Sequence, residues 1–67
     1  MVNLEELAKL RWIEKLPYWS IARRMRFASS TLYGKAQELK LGGVKHLKLN
    51  PAELDLIETR IQQEGED

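Results

Sequence analysis

The stretch that decides the fold is Leu16–Gly43, LPYWSIARRMRFASSTLYGKAQELKLGG. Its spacing predicts two short helices joined by a tight turn. Pro17 disfavours helix at Leu16, so a helix starts at Pro17 or Tyr18. At about 100° per residue, Tyr18, Ile21, Ala22 and Met25 share one face, and Trp19, Arg23 and Arg26 fall on the other. This helix ends near Met25 or Arg26. Arg26-Phe27-Ala28 makes the turn, and Ser29 or Ser30 supplies an oxygen to cap the second helix of the pair. That helix runs to about Leu39. Leu32, Ala36 and Leu39 face inward at i, i+4, i+7, while Ser30, Thr31, Gly34, Gln37 and Glu38 face away. Ala22 is small enough to let the two helices cross closely.

Outward from this pair, the N-terminal segment reads as a helix from Asn3 to about Lys15. Asn3 is a good N-cap, and Glu6 sits where a capping box needs its return partner. Leu4, Ala8 and Trp12 form one apolar line, and Leu7 and Leu10 another, so the helix should touch more than one neighbour. On the other side, Leu41-Gly42-Gly43 ends the preceding helix, with Gly supplying a left-handed residue. Val44–Leu49 alternates Lys45, Leu47 and Leu49 against Val44, His46 and Lys48, which predicts an extended segment, either a small wing or a strand that pairs with a second copy. Asn50-Pro51-Ala52-Glu53 is the clearest helix start in the chain: a cap, a proline at the first helical position, and a second capping box. The helix to about Gln63 presents Leu54, Ile57 and Ile61 on one face, with Leu56 beside them. The fold class is therefore mostly α, in a single domain over 1–67. A tri-helical unit (3–41) is followed by an extended segment (44–49) and a C-terminal amphipathic helix (50–63).

With 67 residues the chain admits one small domain, marginal unless its helices pack efficiently. It has no cysteine, so neither disulfides nor thiolate-bound zinc can staple it, which suits a reducing interior. No apolar run is long enough to cross a bilayer, and MVNLEELAKL carries acids where a signal peptide needs positive charge. These features point to a cytoplasmic protein. The net charge of +1 hides a strong asymmetry. Residues 18–48 carry seven cations against one acid, a net +6, and residues 49–67 carry six acids against one cation, a net −5. A basic middle is what a phosphate-binding surface requires.

Two short helices, a tight turn and a small, polar outer face amid basic residues together make the pattern of a helix-turn-helix. That unit lays its second helix in the DNA major groove. WIEKLPYWSIARRM followed by STLYGKAQELKLGG resembles the helix-turn-helix of bacterial regulators of the GcrA type, and more loosely homeodomain-like and Myb/SANT-type tri-helical domains. The resemblance rests on Trp12 with Leu16, Ile21-Ala22, Gly34-Lys35, Leu39 and Leu41. It covers residues 4–43, about two-thirds of the chain. It implies a three-helix DNA-binding fold with Gly34-Lys35 on the recognition helix. Arg26 departs from the pattern, since many such units place Gly in the turn. Val44–Gln63 has no counterpart, so the partner-binding and methylation-linked roles of that family do not carry over.

On this reading Trp19, Arg23, Arg24, Arg26, Ser29 and Lys40 contact the DNA backbone, Arg through bidentate hydrogen bonds to phosphate. Trp19 either stacks on Arg23 and donates its indole N–H, or is a core aromatic. Ser30, Thr31, Gly34, Lys35 and Gln37 are the base-edge candidates; Gln suits adenine and Lys suits guanine. Gly34 costs about 1 kcal/mol relative to Ala inside a helix, so it is either tolerated or marks a close approach. Tyr33 is expected to pack. Leu47, Leu49, Leu54, Leu56, Ile57 and Ile61 are the candidate dimerisation surface, because an unpaired strand and a surplus of apolar helix invite a second copy. No catalytic residue, metal or cofactor is expected: His46 is the lone histidine, and capping and solubility explain Glu53, Asp55 and Glu58. The function expected is a sequence-specific duplex-DNA-binding protein, a small bacterial, phage or mobile-element regulator associated with the nucleoid. The alternative is a non-catalytic adaptor that binds a polymerase or DNA-packaging partner.

Overall fold

A computed structural model describes residues 1–65. The first helix, α1 (Leu4–Ala8), is capped as its sequence suggests: the Asn3 side chain accepts from the Glu6 N–H at 3.1 Å. It then departs from expectation. Instead of continuing as α-helix to about Lys15, it widens into a π-helical turn (Lys9–Ile13). Glu14 N–H donates to Lys9 O at 2.9 Å and Leu16 N–H to Leu10 O at 3.0 Å. The closure places Lys15 in the left-handed region (φ 60°). A left-handed residue is a common way to end a helix, and here it turns the chain towards Pro17. The broad apolar arc is used in full: α1 packs on α3, and the π turn packs on α2 and α4.

The second helix, α2 (Tyr18–Met25), starts after Pro17, as expected. Arg26 then takes φ 61°, ψ 40°, left-handed, and its N–H donates to Ala22 O at 2.9 Å. The non-glycine at this turn therefore adopts the backbone usually reserved for Gly, at a cost of roughly 1–2 kcal/mol. Arg26→Gly relieves that strain and gives back part of it as unfolded-chain entropy. It is expected to stabilise the fold by about 0.5–1 kcal/mol, read as a rise in the midpoint of thermal unfolding. An unchanged or lower midpoint would show that the Arg26 side chain holds the turn.

The third helix, α3 (Ser29–Lys40), corrects one detail. Its N-cap is Ala28, which offers no side-chain oxygen, so Ser29 and Ser30 lie inside the first turn and do not cap it. Gly42 ends this region at φ 109°, the left-handed glycine foreseen there. Gly43 is tight for a different reason: a Cβ at this position would stand 3.0 Å from Glu38 O, closer than an ordinary van der Waals contact.

The predicted extended segment is the clearest correction. Gly43–His46 is a 3-10 turn, and no strand occurs among the described residues. The period-two alternation loses to a period of three: Val44 and Leu47 are both buried, and Lys45, His46 and Lys48 are exposed. The fourth helix, α4 (Pro51–Gly65), starts where its box predicts, with Asn50 Oδ1 accepting from Glu53 N–H at 2.8 Å. It folds back onto its own chain. Ile57 is fully buried and Leu47 is buried, while Leu49, Leu54 and Ile61 pack partly buried against the core. Of the six residues expected to face a second copy, only Leu56 is exposed. The apolar surplus of α4 is thus absorbed by a core that also holds Leu7, Ala8, Leu10, Trp12, Ile21, Leu32, Ala36, Leu39 and Val44. No helix of the described residues is long and apolar enough to cross a membrane.

Candidate nucleic-acid interface

The outer surfaces of α2 and α3 carry most of the singled-out residues. Ile21, with the half-buried Ala22 and Met25, faces the core, which leaves Trp19, Arg23 and Arg24 on the outer side of α2. Arg23, Arg24 and the turn residue Arg26 are exposed and form no ion pair among the described residues. Their charge is therefore uncompensated at short range. Trp19 is 63% exposed, which removes the core-aromatic reading; Arg23 stands one helical turn on, and no stacking of the two is seen.

On α3, burial of Leu32, Ala36 and Leu39 turns Ser30, Thr31 and Gly34 outward, all exposed, with Ser29 exposed at the helix start. Lys35 and Gln37 are half-buried on the flanks of that face. Lys35 sits 3.7 Å from Glu38, an exposed pair one turn apart and worth little. Gly34 has nothing within 4 Å of where a Cβ would stand, so no neighbouring helix explains it. Tyr33 is 53% exposed and also packs, its ring edge-on to Tyr18 at 5.4 Å.

Lys40 does not join this group. Its Nζ pairs with Glu64 at 3.2 Å, so its charge is committed to tying α3 to α4. Glu64 is the hub of that junction. It also receives Arg11 at 3.1 Å and the Trp12 indole N–H at 3.4 Å. A carboxylate near a helix C-terminus is opposed by the helix dipole, and these three donors offset that opposition. A second clasp, Lys9 to Glu53 at 3.5 Å, joins the π turn to the start of α4. Arg11 is fixed more firmly still, with Nη1 donating to Leu16 O at 3.4 Å and its guanidinium 4.8 Å from the Tyr18 ring centroid. Sequence reasoning missed this cluster. Glu64 and Trp12 are 52 residues apart, and no local pattern signals such a contact.

The acids Glu53, Asp55 and Glu58 form no metal-binding group, and none occurs among the described residues. Comparison with protein families, with curated proteins and with solved structures finds no match to this chain.

Proposed function

We propose that the chain is a duplex-DNA-binding protein of the helix-turn-helix kind, a small transcriptional regulator, with α3 as its recognition helix. The observation that carries the reading is the pairing of two surfaces across the Arg26 turn. Arg23 and Arg24 before the turn and Arg26 within it form no ion pair among the described residues, and a small, polar helix face of Ser30, Thr31 and Gly34 lies beyond it. Arginines of this kind hold phosphates, and a face without bulk admits a helix to the major groove. Lys35 and Gln37 flank that face as the longer base-edge candidates. Asp55 and Glu58, with the other acids of α4, are then expected to point away from phosphate.

The test is a fluorescence-anisotropy titration of labelled duplexes from low to physiological salt. Saturable binding whose logarithm falls linearly with log salt is expected, by about 0.9 per phosphate contacted. Absence of binding at low salt would favour the adaptor reading, in which the exposed Trp19 and Leu41 meet a protein partner.

Gly34 supplies a sharper check. Because a Cβ there meets nothing, Gly34→Ala is expected to stabilise the free protein by about 1 kcal/mol. The same methyl group stands on the face that would enter the groove, so duplex affinity is expected to fall although stability rises. Rising stability with unchanged affinity would remove Gly34 from the interface.

A further inference from the structure

The segment between α3 and α4 carries Lys45, His46 and Lys48, which serve neither the core nor the α2–α3 surface. We propose that Lys45 and Lys48, with His46 between them, form a second phosphate-binding surface beyond the C-terminal end of α3. The proposal rests on the duplex-binding reading and adds how α3 is held in place, by cations beyond both of its ends.

Burial creates this surface. Val44 and Leu47 both enter the core, so Lys45, His46 and Lys48 all turn to solvent. None of the three forms an ion pair among the described residues. Lys45 and Glu58 line one hollow, yet they too are unpaired. No acid occurs in the sequence between Glu38 and Glu53. The segment is also fixed by its own backbone. Gly42 N–H donates to Leu39 O at 3.2 Å, Lys45 N–H to Gly42 O at 3.4 Å and Leu47 N–H to Val44 O at 3.2 Å. Asn50 is held by its cap on α4. Lys48 thus stands between two anchored residues, and little backbone freedom remains to be lost on binding.

Two features set these cations apart from a merely solvated rim. The first is position. The 12 residues of α3 span about 18 Å, and the major groove is about 12 Å wide. A helix of that length seated in the groove has phosphates near both ends. Arg23, Arg24 and Arg26 precede its start, and Lys45 and Lys48 follow its end. The second feature is that the helix dipole does not account for them all. It favours cations within the last turn, where Lys40 already stands, and Lys48 lies well past that turn. A lysine ammonium binds phosphate as a point charge, and the His46 imidazole adds an N–H donor.

The experiment is the anisotropy titration across salt, run on the full chain carrying Lys45→Gln with Lys48→Gln. Both side chains are exposed and unpaired, so the unfolding midpoint is expected to stay unchanged. The salt slope is expected to fall by about 1.8, as for two phosphate contacts. Combined with Arg23→Ala and Arg24→Ala, the fall is expected to reach about 3.6, because contacts to separate phosphates add. Lys9→Gln with Lys40→Gln removes the same two charges from cations held by Glu53 and Glu64, and is expected to leave the slope unchanged. A Lys45/Lys48 variant with the wild-type slope, where the Arg23/Arg24 variant has lost its share, would overturn this surface and leave the duplex-binding reading standing. An equal fall in the Lys9/Lys40 variant would assign the effect to net charge and overturn the surface as well. A wild type that binds no duplex at low salt would overturn both.

Discussion

Ile57→Ala is expected to remove about 2–5 kcal/mol of stability, and Leu56→Glu, one position earlier, to change it by no more than about 0.5 kcal/mol. Ile57 is fully buried in the shared core, whereas Leu56 is 38% exposed. A chain of 67 residues has a total stability of roughly 3–10 kcal/mol, so the first loss is a large fraction of the whole. The cause is geometric. Ile57 joins the cluster that holds Leu7, Trp12, Leu32 and Leu39, and its removal leaves a cavity that neighbours on other helices cannot all move to fill. Urea unfolding followed by circular dichroism checks both, with an unchanged slope of free energy against urea confirming the same cooperative unit. If α4 instead met a second copy, Ile57→Ala would lower the associated mass in light scattering and leave a folded monomer of wild-type stability.

The double substitution Arg23→Ala with Arg24→Ala is expected to leave the fold unchanged and to weaken duplex binding on the order of 10–100-fold at moderate salt. Both side chains are exposed and form no ion pair among the described residues, so their loss exposes no core and strands no partner. Two lost phosphate contacts also lower the salt slope by about 1.8. The weakening should be nearly uniform over sequences, because phosphates carry no base identity. Lys40→Ala is the informative contrast. Its ammonium is held by Glu64, so it is expected to leave the slope unchanged. A double variant that binds with wild-type affinity and slope would exclude the α2 surface from DNA contact.

Much of the helical frame was legible because it is set by neighbours in sequence. Tyr18–Met25 begins at a proline, Ser29–Lys40 carries its inward residues at helical spacing, and Pro51–Gly65 opens on a cap, a proline and a glutamate. Arg26 stands where many units of the resembled kind place Gly, and it is Arg26 itself that takes the left-handed backbone, despite its side chain. The outward facing of Ser30, Thr31 and Gly34 followed from the burial of Leu32, Ala36 and Leu39 on the opposite side of the same helix. Less legible were positions where two local rules competed. Ser29 and Ser30 looked like caps, yet the cap position falls on Ala28, one residue before them. Val44–Leu49 alternated like a strand, yet Val44 and Leu47 needed to reach one core from one side, and a 3-10 turn achieves that.

Periodicity and capping chemistry, by themselves, determined where α2, α3 and α4 lie and which face of each is apolar, because those properties depend on residues within a turn or two. Only the tertiary structure decided what each apolar face meets. It sent α4 back onto its own chain, where Ile57 completes the core. It took Lys40 out of the basic surface by placing Glu64 3.2 Å away. It gathered Arg11, Lys15 and Arg60 around one hollow. Each of these outcomes depends on distances between residues far apart in the chain, which hydrophobic spacing and local charge do not encode.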